Sequence, residues 1–123
     1  MDQKNQLRED SLDFAIIISD MCDKINGCYV YKNQLIRLSS SIGANIFEAR
    51  YAQSNADFIS KLEIALKESY ETEYWMELLH RKNVISTEQF QYITNQCGSI
   101  RRRLIASVKT MTAKNNTSSK EVV

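Results

Sequence analysis

The chain has 123 residues, 43% hydrophobic and 25% charged, with a formal net charge of +1. This is the length of one domain, enough to hide roughly two-thirds of the unfolded surface. The near-zero charge gives no global field that would select nucleic acid or a membrane.

The chain contains no proline and three glycines, so helices can run long between few, short connections. Apolar residues recur at the helical period along nearly the whole length. In the first segment Leu7, Phe14, Ile18, Met21 and Ile25 fall at alternating three- and four-residue steps, with Ser11 filling one step, and Gly27 is a stop signal. In the second, Cys28, Tyr31, Leu35, Leu38, Ile42, Asn45, Ala49 and Ala52 keep the rule. In the third, Phe58, Leu62, Ala65, Ser69, Thr72, Met76 and Leu79 keep it again. In the fourth, Phe90, Ile93, Cys97, Ile100, Leu104, Ser107 and Met111 complete the set. Ser54 stands three residues ahead of Asp57, and Ser86-Thr87-Glu88-Gln89 has the form of a capping box with Ile85 and Phe90 as its staple.

These signals predict an all-α, antiparallel up-down-up-down four-helix bundle, with helices over about 8–26, 29–52, 55–81 and 87–112. Residues 1–113 form the domain, and 114–123 read as a polar tail expected to be disordered. Charge alternates in the same sense: residues 1–26 are net −3, 27–53 net +2, 54–81 net −3 and 82–123 net +5. In a square each helix then meets neighbours of opposite sign.

Three cysteines without CxxC spacing (Cys22, Cys28 and Cys97) argue against a disulfide framework and suit a reducing cytoplasm. The first ten residues lack signal-peptide character, and the longest apolar run, Ala15 to Ile18, is too short to span a bilayer.

The third helix carries more apolar surface than one seam needs. Ile64, Trp75 and Leu78 form one extra stripe, and Ile59, Leu66 and Tyr70 another. The second helix adds Ile36, Phe47 and Tyr51, with the small Ser40 and Gly43 between them. Such stripes either widen the core or form a subunit interface; on the second reading Gly43 allows close approach and Phe47, Tyr51, Ile64, Trp75 and Leu78 are the anchors.

Catalytic patterns are weak. His80 is the only histidine, and Glu77-x-x-His80 occurs once where a di-metal bundle needs two such pairs. Glu63, Glu68, Glu71, Glu73 and Glu77 avoid the seam and read as a solvated or salt-bridged face. Ser39-Ser40-Ser41 reads as small packing residues, and Asn45, near Ser41 and Glu48, as a structural polar site. No residue set calls for a cofactor or metal. The clearest functional cue is Arg101-Arg102-Arg103, which with Lys109 and Lys114 makes residues 97–114 net +5 without an acid. Adjacent arginines on a helix cannot all share one face. They either pair with the acidic first and third helices or, repeated in a symmetric oligomer, bind phosphates.

Two stretches carry a family resemblance: Ser41-Ile42-Gly43-Ala44-Asn45-Ile46-Phe47-Glu48-Ala49 with Ala52-Gln53-Ser54 and Ala56-Asp57-Phe58, and Lys61-Leu62 through Glu68 with Glu71-Thr72-Glu73-Tyr74-Trp75 and Leu78-Leu79. Over roughly residues 8–112 the chain resembles the bacterial four-helix-bundle family named for proteins encoded in intervening sequences of large-subunit ribosomal RNA genes. Accessory proteins of diversity-generating retroelements are similar to it. The resemblance implies a ring-like homopentamer with RNA or DNA as partner, and for the retroelement relatives a reverse transcriptase. Many relatives carry a basic residue where this chain has Phe47, so that phosphate contact is absent here.

The expectation is a cytoplasmic, non-enzymatic homo-oligomer that binds nucleic acid without strong sequence preference through Arg101, Arg102, Arg103, Lys109 and Arg37. The alternative is a protein-interaction adaptor that assists a nucleic-acid enzyme such as a reverse transcriptase.

Overall fold

The structure, a computed structural model, describes residues 3–122 and the side chains of residues 6–116. Four α-helices follow in order: α1 Gln3–Asp23, α2 Tyr29–Ala49, α3 Asn55–Arg81 and α4 Thr87–Val122. Each packs antiparallel to the next, and α4 returns beside α1 to close the bundle.

Where the boundaries differ from expectation, local chemistry explains them. Helix α1 is already formed at Gln3, ahead of the expected residue 8, since Gln, Lys and Leu favour helix, and it brings Leu7 into the core. It ends at Asp23, short of 26. The N–H groups of Lys24 and Ile25 turn back to the carbonyls of Met21 and Cys22 at 3.1 Å, and Gly27 and Cys28 then take left-handed backbone angles, φ 72° and 55°. Glycine adopts that region freely, whereas cysteine there costs about 1 kcal/mol or more. Lys32 Nζ donates to the Ile25 carbonyl at 2.8 Å and so satisfies the turn.

Helix α2 stops at Ala49 because Arg50, Tyr51 and Ala52 each bond three residues back rather than four. Ser54 Oγ accepts the Asp57 N–H at 3.0 Å, and Asp57 Oδ2 accepts the Gln53 N–H at 3.2 Å. After α3, Asn83 at φ 60° reverses the chain, and Ser86 Oγ accepts the Gln89 N–H at 3.1 Å to start α4. Helix α4 runs well past 112, because no glycine or proline follows Gly98 to stop it. Its 36 residues span about 54 Å against about 40 Å for the 27 of α3.

The seam positions form one core. Phe14, Ile18, Leu35, Leu38, Ile42, Met76, Leu79, Ile93 and Leu104 are fully enclosed, and each contributes about 1.5–3 kcal/mol of burial. Helices α1 and α2 approach over small side chains: a Cβ added to Gly43 would stand 3.5 Å from Ser11 Oγ. Gly43 therefore faces a helix of its own chain, and of the two readings of the extra stripes its close approach serves the single chain rather than a subunit interface. The α1–α4 seam is the thinnest, and the 2.6 Å pair of Asp10 and Arg103 crosses it.

Candidate nucleic-acid and assembly surfaces

Successive helical residues are turned by 100°, so the three arginines diverge. Arg101 turns to α3. Its Nη2 lies 2.7 Å from Glu73 Oε1, its Nε donates to Ser69 Oγ at 3.1 Å, and its guanidinium covers the Tyr70 ring at 4.2 Å. Arg103 turns to α1 and pairs with Asp10. For both, the first of the two readings holds in the single chain: they pair with acids of the first and third helices rather than standing free for phosphate. Arg102 alone of the three is exposed, its Nη1 lying over Gly98, 3.4 Å from where a Cβ there would stand. Lys109 is exposed two turns further along the same face of α4. Arg37 is exposed on α2 and donates to Gln34 Oε1 at 2.8 Å. None of these last three has a carboxylate within ion-pair distance among the described residues.

The five expected interface anchors separate as well. Phe47, Tyr51 and Ile64 are exposed at 42%, 72% and 44%. Phe47 packs on Tyr51 and lies under the Arg8 guanidinium at 5.3 Å, so α1 delivers a cation to this face of α2. Trp75 is half-buried against the core, between Tyr31 and Tyr74, and Leu78 is half-buried. For Trp75 the widened-core reading therefore holds in the single chain. Leu12 and Ile16 of α1 are exposed apolar residues that the seam analysis passed over. Their four-residue spacing, off the seam, was the available signal.

One acid departs from the solvated-face expectation. Glu68 is only 9% exposed, at the α2–α3 seam. Its Oε1 accepts from Ser41 Oγ at 2.8 Å and from Asn45 Nδ2 at 3.4 Å, and Asn45 also donates to the Ser41 carbonyl at 2.9 Å. Asn45 is thus a structural polar residue joined to Glu68. Glu48, the neighbour expected for it, pairs instead with Lys61 at 3.4 Å.

Little here suits catalysis. His80 stacks on Phe90 at 4.5 Å and shares a 3.0 Å hydrogen bond with Thr87, which fastens the α3–α4 turn. Burial pushes the Cys97 thiol up to about 12, although Arg101 nearby opposes the shift, and burial likewise raises Cys22. Thiols so placed are poor nucleophiles. A recess of about 420 Å³ at the α2–α3 turn is lined by Arg50, Ser54, Phe58 and Met111 among others, with no histidine, carboxylate or thiol. Among the described residues no three His, Cys, Asp or Glu side chains are placed to share a metal, and no helix is long and apolar enough to cross a membrane.

The family of 23S rRNA-intervening sequence proteins matches residues 3–106. The chain belongs to that family. A crystal structure of a protein of unknown function from the S23 ribosomal protein family of Bacteroides thetaiotaomicron VPI-5482 is similar at a TM-score of 0.83. It shares 44% sequence identity, and the match covers 88% of this chain and 99% of that one. No curated protein matches. The intervening-sequence match spans all of α1, α2 and α3 and stops within α4, just after the three arginines.

Proposed function

We propose that the protein is a non-enzymatic, self-assembling helical module that binds nucleic acid without strong sequence preference, through Arg102 and Lys109. The observation that carries this reading is the exposure of two cations on one face of α4 with no carboxylate among the described residues to neutralise them. One such pair is a weak phosphate site. Repeated around a homo-oligomer it becomes a multivalent one, with affinity that falls steeply as salt rises. The exposed Phe47, Tyr51 and Ile64, together with Leu12 and Ile16, support assembly, because an apolar surface spread over three helices suits burial against another subunit. The pentamer and the cytoplasmic location belong to the same proposal, drawn from the family resemblance and the unpaired cysteines.

The test is absolute mass by light scattering at low and high salt, alone and with short RNA and DNA. The reading requires an oligomer that takes up nucleic acid at low salt and releases it at high salt. Arg102→Ala with Lys109→Ala should then weaken uptake and flatten its salt dependence. An oligomer that ignores nucleic acid would overturn the binding half and favour an adaptor. A monomer would overturn the assembly half.

A further inference from the structure

Glu68 is the one charged side chain in the buried set of the described residues. Both of its hydrogen bonds come from neutral donors, and both fall on Oε1. No lysine, arginine or histidine among the described residues lies within 4 Å of it. A carboxylate held in a helix seam with neutral donors alone is incompletely compensated. Among the described residues no fully enclosed side-chain oxygen lacks a hydrogen bond, so Oε2, which has none, reaches the surface. The acid therefore presents one fixed oxygen inward and one open oxygen outward.

The position of that open oxygen is specific. Ile64, Glu68, Glu71, Trp75 and Leu78 follow one another at four- and three-residue steps, so they form a single stripe along the α2 side of α3. Along this stripe Ile64 is exposed one turn before Glu68, the exposed Glu71 stands one turn after it, and Trp75 follows two turns after it. A partly exposed carboxylate oxygen beside an exposed apolar side chain is well placed for a charge-assisted contact once another surface covers it. The chain also displays a matching cation. Arg37 is exposed on α2 next to Ile36, and its guanidinium touches only the neutral Gln34.

We propose that the Ser41–Asn45–Glu68 cluster is a receptor for a guanidinium of a second copy of this chain, and that Arg37 supplies it. The site is incomplete in one chain and is completed across the subunit contact. Ser41 and Asn45 fix the inner oxygen, which leaves the outer one for the arginine of the second copy to close on. This rests on the self-assembly reading above and adds to it a specific residue pair.

The test is Glu68→Gln, which keeps the shape and can still accept from Ser41 and Asn45 but removes the charge. Wild type and variant are compared by sedimentation across concentration and salt, with helicity and thermal unfolding as controls. The expected result is a native helical content with association weakened at least tenfold and its salt dependence reduced. Arg37→Gln should give a similar loss, and the double variant should lose no more than either single one. Unchanged association in Glu68→Gln, or a loss of thermal stability without a loss of association, would overturn the receptor. Independent, additive losses in the double variant would overturn the pairing with Arg37. A wild-type monomer at every concentration would instead overturn the self-assembly reading itself.

Discussion

The guanidinium of Arg101 joins α4 to α3: it stands 2.7 Å from Glu73 Oε1 and lies over the Tyr70 ring. It donates as well to the Ser69 carbonyl at 3.2 Å and lies 3.7 Å from the Cys97 sulfur. Arg102, its neighbour in sequence, makes no such contact with another helix.

The two arginines should therefore behave oppositely. Arg101→Ala is expected to cost about 2 kcal/mol of stability, because it leaves Glu73 and Ser69 without their charged partner. Arg102→Ala should change stability by less than about 0.5 kcal/mol. Urea unfolding measures both. Equal effects would contradict the division of the arginine run into a structural and a free member.

Gly43 offers a gain. It lies in the interior of α2, where glycine costs about 0.5–1 kcal/mol relative to alanine. A Cβ there would meet Ser11 at 3.5–3.9 Å, ordinary contact distances. Gly43→Ala should raise the unfolding midpoint, and Gly43→Leu should lower it by forcing α1 away. A destabilised alanine variant would show that the α1–α2 seam is tighter than this geometry allows.

Cys97 predicts a loss of stability in alkali. Burial raises its ionisation from 9.0 to about 12 in the folded chain. Above pH 9 the unfolded chain gives up this proton while the folded chain keeps it, so stability is complete below pH 9 and is lost as pH climbs toward 12. The slope from this one group is at most about 1.4 kcal/mol per pH unit. Other groups also titrate there, so the informative quantity is the difference from Cys97→Ser, which keeps a donor for the Ser69 carbonyl. Parallel pH profiles for wild type and variant would remove Cys97 from the account.

Ser54 and Ser86 were both legible as caps, and each holds an amide three residues on. Replacing either with alanine should cost about 1 kcal/mol. Ser54→Gly should cost only a few tenths, a contrast that separates a lost hydrogen bond from a lost backbone preference.

The seam itself was readable because period alone fixes it: Phe14, Ile42, Met76 and Leu104 are buried where the three-four rule places them. Charge marked the acidic first and third helices as partners for the arginine run, but which arginine meets which acid was not readable. The direction of Arg103 is decided by Asp10, more than ninety residues earlier, and that of Arg101 by Glu73. Glu68 looked like one more member of an acidic face. Its burial follows from the register that sets Ser41 and Asn45 opposite it, and nothing within the third segment specifies that register. Helix ends drifted for a similar reason. Period marks where a helix is useful to the core, whereas stopping depends on backbone turns such as the left-handed Cys28.

An even number of antiparallel helices also decides where the chain can be cut. The start of α1 and the end of α4 lie at the same pole of the bundle, with the α2–α3 turn between Ala49 and Asn55, while the other two turns lie at the far pole. A sequence reopened in that near-pole turn, with Gln3 and the last turn of α4 joined by a short flexible linker, would trace the same four rods in a new order. Tags or probes attached to either end would likewise leave the far pole, with Gly27 and Asn83 in its turns, unobstructed.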